Sequence, residues 1–99
     1  IIIENMFYFG GYILDTKMIT IGRDNFIPRA RIIAFLFPDS LPIKRTISEL
    51  RELNKVIDAT RGKKTRSIIV LDNGFIVLSS VKATTLADKY DLNPGGKNV

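Results

Sequence analysis

Three observations predict an α+β fold, a small and mostly antiparallel sheet carrying one main helix and a short C-terminal helix. Strand-like apolar runs recur at Ile32 to Phe37, Ser67 to Leu71 and Phe75 to Val81, and the last two flank Asp72-Asn73-Gly74, a strong hairpin signal. One window, Leu41 to Asn54, repeats its apolar residues at helical spacing instead. The whole chain has 99 residues, enough for one domain near the size where core burial becomes marginal.

Composition narrows the chemistry. There is no Cys and no His, which removes thiolate nucleophiles, imidazole bases, disulfides and the usual transition-metal ligands. No cofactor and no metal site is expected. Asp24, Asp58 and Asp72 are the best acid or metal candidates, and no pair of them has metal-ligand spacing, so an enzyme is the weakest reading. The net charge is +5, concentrated in residues 18–83, which hold 12 basic and 6 acidic groups. A basic block of this kind favours nucleic acid, an anionic membrane or an acidic protein as partner.

The first 17 residues are apolar but interrupted by Glu4, Asn5, Gly10, Gly11 and Asp15, too broken for a membrane span. No basic start or small-residue cleavage site marks them as a secretory signal. Two readings stay open. Met6 to Phe9 and Tyr12 to Leu14 form an added hairpin about Gly10-Gly11, or the segment is upstream sequence and the working start is Met18.

From Met18, MITI reads as a short strand and Gly22-Arg23-Asp24-Asn25 as a turn. Pro28 has no N–H for a ladder, so FIPRARIIAFLF should begin on an edge or a bulge and continue as a strand covered on both faces. Arg29 and Arg31 then share one strand parity. Asp39 or Ser40 caps a helix with Pro42 in its first turn, ending near Asn54, and Ile43, Ile47, Leu50 and Leu53 form its core stripe. Lys44 and Arg45 lie where the helix dipole disfavours cations, so either a ligand selects them or they are ordinary exposed bases offset by Glu49 and Glu52.

After the helix, Val56 to Thr60 reads as a strand, followed by a basic turn with Arg61, Lys63, Lys64 and Arg66 around Gly62. With Ser67 to Leu71 as the return strand, this turn is expected to be a hairpin tip, and the region an antiparallel meander. Asp58 shares parity with Thr60 and is expected near Arg66, fixing the turn. Thr84 or Thr85 caps a short helix to Tyr90, and residues 91–99 read as a flexible tail. No internal repeat is visible. The strands from Ile32, Ile68 and Phe75 are apolar on both faces, while one helix covers only one, which argues for self-association.

The order Arg31-Ile-Ile, Pro38-Asp-Ser-Leu-Pro-Ile-Lys-Arg45, Ile57-Asp-Ala-Thr-Arg-Gly-Lys-Lys-Thr-Arg66 and Leu78-Ser-Ser-Val81 resembles the RemA family of bacterial extracellular-matrix regulators over residues 18–90. The resemblance implies a cytoplasmic DNA-binding regulator of biofilm matrix genes. It also implies a homo-oligomeric ring of identical subunits around whose basic rim duplex DNA bends. Its DNA-binding positions map to Lys63, Lys64 and Arg66, with Arg31 before the long strand. Arg61 stands where the family has an aromatic, Lys63-Lys64 where it usually has two arginines, and the Gly22–Asn25 corner is more charged than usual. Lysine suits phosphate better than bidentate base contact, so backbone contacts are expected to dominate. Partners on this reading are duplex DNA and further copies of the chain, with neither membrane nor small-molecule substrate. The alternative is a structural homo-oligomeric scaffold that binds protein partners or RNA.

Overall fold

The computed structural model describes residues 2–3 and 6–91, so the expected tail 91–99 lies outside them except for Asp91, which is helical. Strands β1 (Ile2–Ile3), β2 (Met6–Phe9) and β3 (Tyr12–Asp15) form an antiparallel sheet, with Phe9 opposite Tyr12 across Gly10 and Gly11. Both glycines have positive φ, as a two-residue hairpin loop requires. Strands β4 (Met18–Gly22) and β5 (Asn25–Pro28) make a separate antiparallel pair.

The expected continuous strand through Pro28 breaks there. Arg29–Arg31 form a single 3-10 turn, and β6 (Ile32–Leu36) starts only after it. The Arg29 N–H, freed from any ladder, donates to Lys17 O at 2.8 Å. Arg29 and Arg31 therefore share no strand face, and their side chains reach Asp15 and Asp72 respectively.

Helix α1 (Leu41–Glu52) begins at Ser40, whose Oγ accepts from Ile43 N at 3.2 Å, with Pro42 in the first turn. Its end is set by Asn54, which turns the chain through a φ of 58°. Ile43, Ile47 and Leu50 pack on Ile68, Ile76 and Leu78. Leu53, the expected fourth member of that stripe, is 63% exposed because the helix has ended before it.

The remaining elements are β7 (Val56–Asp58), β8 (Ser67–Leu71), β9 (Ile76–Ser79) and α2 (Ala83–Asp91). The main sheet has the order β6-β8-β9-β7. The Asn73-Gly74 hairpin joins β8 to β9 as expected, with Asn73 Oδ1 accepting from Phe75 N. The meander does not extend to β7, which pairs with β9 in parallel, Ile57 opposite Val77. The reason is occupancy. β8 already has β6 on one side and β9 on the other, which leaves only the outer edges of β6 and β9, and the strand leaving α1 takes that of β9. The unit β6-α1-β7 is thus a crossover split by the β8–β9 hairpin.

Period-two alternation divides the sheet's apolar residues between its faces. Ile68, Ile76 and Leu78 meet α1, while Ile69 and Val77 meet Ile19, Ile21, Ile27 and Leu86 from the β4–β5 hairpin and α2. Both faces are therefore covered within one chain. The surplus apolar surface that argued for self-association is not on the central strands β8 and β9. It lies at the margins, where Ile33, Phe37, Leu41 and Leu53 are exposed.

Two fully buried serines face each other across β8 and β9, Ser67 opposite Ser79. Ser79 Oγ donates to Ile21 O at 2.5 Å and accepts from Val81 N, stapling β4 onto the sheet. Ser67 Oγ has no hydrogen-bond partner among the described residues.

Candidate nucleic-acid interface

Because β9 lies between β7 and β8, residues 59–66 are not a hairpin tip but an arch over the C-terminal end of β9. Its feet are held by backbone bonds, Ala59 N to Leu78 O at 2.9 Å and Arg66 N to Ser79 O at 2.8 Å. Asp58 shapes the first foot, though not through Arg66 as expected. Its Oδ1 accepts from the Thr60 hydroxyl at 2.6 Å and from Thr60 N at 2.9 Å. The Thr60 hydroxyl and then its N–H, against slight burial and with the charge of Arg51 assisting, hold the Asp58 carboxyl below its ordinary value. A turn closed by Lys63 N donating to Thr60 O at 3.0 Å follows. In that turn Arg61 has a φ of 57° and Gly62 one of 83°. A left-handed arginine costs about 1 kcal/mol or more, so the arch is held by its contacts rather than by local preference.

Arg61, Lys63, Lys64 and Arg66 are all exposed on this arch. Among the described residues none of the four has a carboxylate within ion-pair distance. They fall on two flanks. Lys64 and Arg66 line a cleft of about 350 Å³ with Phe37, Asp39, Lys82 and Thr84. Arg61 and Lys63 line another of about 280 Å³ with Arg23, Thr60 and Ser80.

Lys82 and Arg23 are site residues that sequence reading missed. The signal for Lys82 was the hairpin register, since pairing Ser67 with Ser79 puts the residues before β8 and after β9 at one end of the sheet. The signal for Arg23 was the unusually charged Gly22–Asn25 corner. Lys44 and Arg45 are exposed on α1, which starts two residues after Asp39 of the first cleft.

Arg31 does not join this group. It stands at the opposite end of β8, its Nε 2.9 Å from Asp72 Oδ1 and its carbonyl accepting from Asp72 N. From Arg66 to Asp72 the extended chain covers roughly 20 Å. The neighbouring Arg29 is a structural cation. Its Nε donates to Asp15 Oδ2 at 2.6 Å, its Nη1 to Tyr90 O at 3.3 Å, and its guanidinium lies 5.7 Å from the Tyr90 ring centroid. Burial pushes the Asp15 carboxyl up, but the hydrogen bonds from Arg29 and Lys17 N and the charges of both residues hold it below its ordinary value.

Among the described residues no three His, Cys, Asp or Glu side chains are grouped to hold a metal ion, and no helix is long and apolar enough to cross a membrane. What the arch offers chemically is unpaired positive charge on a fixed backbone. A family model described as RemA-like, extracellular matrix regulatory protein A-like, matches residues 18–90. A protein of Bacillus cytotoxicus is 45% identical over 84 residues, covering 81% of this chain and 97% of that one. One from Acaryochloris marina is 42% identical over 85 residues, covering 86% and 97%. A third, from Synechococcus sp. (strain JA-3-3Ab), is 42% identical over 77 residues, covering 78% and 86%. All three carry the name "Putative regulatory protein".

Proposed function

The chain belongs to the RemA-like family, and from that premise we propose that it is a regulator that binds duplex DNA through the phosphates, using the basic arch. The observation that carries this reading is the set of four exposed cations, Arg61, Lys63, Lys64 and Arg66, with no carboxylate in ion-pair reach among the described residues. An unpaired cation releases counterions from DNA at no cost to an internal salt bridge. The names of the relatives support a regulatory role over catalysis, and on this reading the chain is a cytoplasmic binding protein, not an enzyme.

Assembly into a homo-oligomeric ring is part of the proposal. Ile33, Phe37, Leu41 and Leu53 are exposed, and β6 and β7 end the main sheet with one side of each unpaired. Apolar margins and open strand edges favour burial against another copy. A ring repeats the arch at regular intervals, so modest local charge becomes a track along which DNA bends, with sequence preference set by deformability.

The test compares duplex DNA, single-stranded DNA and RNA in gel shifts at fixed salt, with the parent chain and Lys63→Ala/Lys64→Ala. The parent is expected to retain duplex best. Titrated over a range of salt, the double variant should weaken binding to all duplex sequences alike and lower the salt slope of log K by about 0.9 for each phosphate no longer neutralised. Binding to RNA alone, or an unchanged slope in the variant, would overturn the reading.

A further inference from the structure

We propose that Arg23 and Arg61, together with Lys63, form a second phosphate subsite on the flank of the arch that faces the β4–β5 corner. The inference rests on the DNA reading, in which Arg61 and Lys63 already figure, and deepens it by adding Arg23 and joining the three into one subsite. Arg23 and Arg61 are far apart in sequence, yet they line one cleft of about 280 Å³ whose other walls are Ala59, Thr60, Lys63 and Ser80. Among the described residues no carboxylate lines it. Asp58, the nearest acid in sequence to Thr60, has its Oδ1 engaged by that residue's N–H and hydroxyl, and Asp24 follows Arg23 but stands outside the cleft walls.

Two features hold the cleft in place before any ligand arrives. The corner lies beside the arch at Gly22, where an added Cβ would make ordinary contact with Ala59 O at 3.8 Å, and it is tied down by the Ser79 hydrogen bond to Ile21 O. The opposite wall is the turn closed between Thr60 and Lys63, with Arg61 held in left-handed backbone. Binding then requires ordering of side chains only, which lowers its entropic cost. Two guanidiniums and an ammonium around a cleft without an acid suit a phosphodiester, because a guanidinium donates in parallel to two phosphate oxygens while lysine supplies a point charge. With Lys64, Arg66 and Lys82 on the other flank, the arch grips the DNA backbone from both sides.

The experiment is fluorescence anisotropy of a labelled duplex at stepped salt with the full chain. It compares the parent, Arg23→Gln/Arg61→Gln, Arg23→Lys/Arg61→Lys and Lys63→Ala/Lys64→Ala, with thermal midpoints recorded for each. The Gln pair is expected to lower the salt slope by about 0.9 for each phosphate it fails to neutralise, close to tenfold weaker binding at 0.1 M salt. The Lys pair should keep the parental slope. Parental affinity and slope in the Gln pair, while the Lys63 and Lys64 variant loses both, would overturn the subsite and leave the DNA reading standing. A parent that binds no duplex overturns both. Should the Gln pair also lower the thermal midpoint, the Lys pair decides, since a reduced slope with charge retained rejects the subsite and a parental slope supports it.

Discussion

At one end of β8 stand Arg61, Lys63, Lys64 and Arg66 with no carboxylate in reach among the described residues. At the other, Arg31 is 2.9 Å from Asp72 and Arg29 is 2.6 Å from Asp15. Both ends are basic in sequence. They differ in what the fold has already done with the charge. The Arg29 and Asp15 side chains are mostly buried and Arg29 lies against Tyr90, so that pair fastens β3, the 3-10 turn and α2 to one another. The arch is fastened by its backbone and by Asp58, which leaves its cations free. A count of basic residues therefore overstates the charge available to a polyanion, and the location of the acids decides which cations remain.

The contrast is broken most sharply at Arg29. Arg29→Ala leaves Asp15 partly buried without its partner and should cost about 2 to 3 kcal/mol in urea unfolding, less than a fully buried pair would. An unchanged midpoint would mean that the pair is decorative. Next come the two facing serines. Ser79→Ala strips a hydrogen bond from the buried β4 connection and should cost about 2 kcal/mol, whereas Ser67→Ala removes an unpartnered hydroxyl and should be neutral or stabilising. Equal effects at both positions would reject the staple.

Acid separates the two ends more gently. Asp15 and Asp58 are both held below the ordinary aspartate value of 3.8 in the folded chain. A carboxylate with a lowered folded pKa stabilises the fold above its unfolded value and loses that contribution as pH falls through the folded one. Unfolding midpoints should therefore drop below about pH 4, and Asp15→Asn/Asp58→Asn should flatten the drop. A profile equally steep in the variant would assign the acid sensitivity elsewhere. The smallest effect on stability belongs to the arch itself. Lys63→Ala/Lys64→Ala should change unfolding by less than about 0.5 kcal/mol even as duplex binding falls, the signature of surface charge kept for a ligand. A large loss of stability would give these lysines a structural role.

Much of the fold was legible because local signals agreed. Ser40, Pro42 and the spacing of Ile43, Ile47 and Leu50 specify α1, and Asn73-Gly74 fixes the β8–β9 register. Leu53 misled because periodicity continued one residue past the helix. β7 misled for a different reason. A strand of three residues carries no mark of whether its partner will be parallel or antiparallel, and here the α1 crossover from β6 lays it parallel along the edge of β9.

The sequence by itself determined most of the elements, the Asn73-Gly74 hairpin and the clustering of Arg61, Lys63, Lys64 and Arg66, since each depends on residues within a few positions of one another. Only the tertiary structure decided that this cluster arches over β9, that Arg23 and Lys82 join it, and that Arg31 is removed to the far end against Asp72. It also decided that both sheet faces are covered within one chain. These are facts of strand order and of the packing of β4–β5 and α2 onto the sheet, set by competition among distant segments for the same buried surface, and no local spacing encodes them.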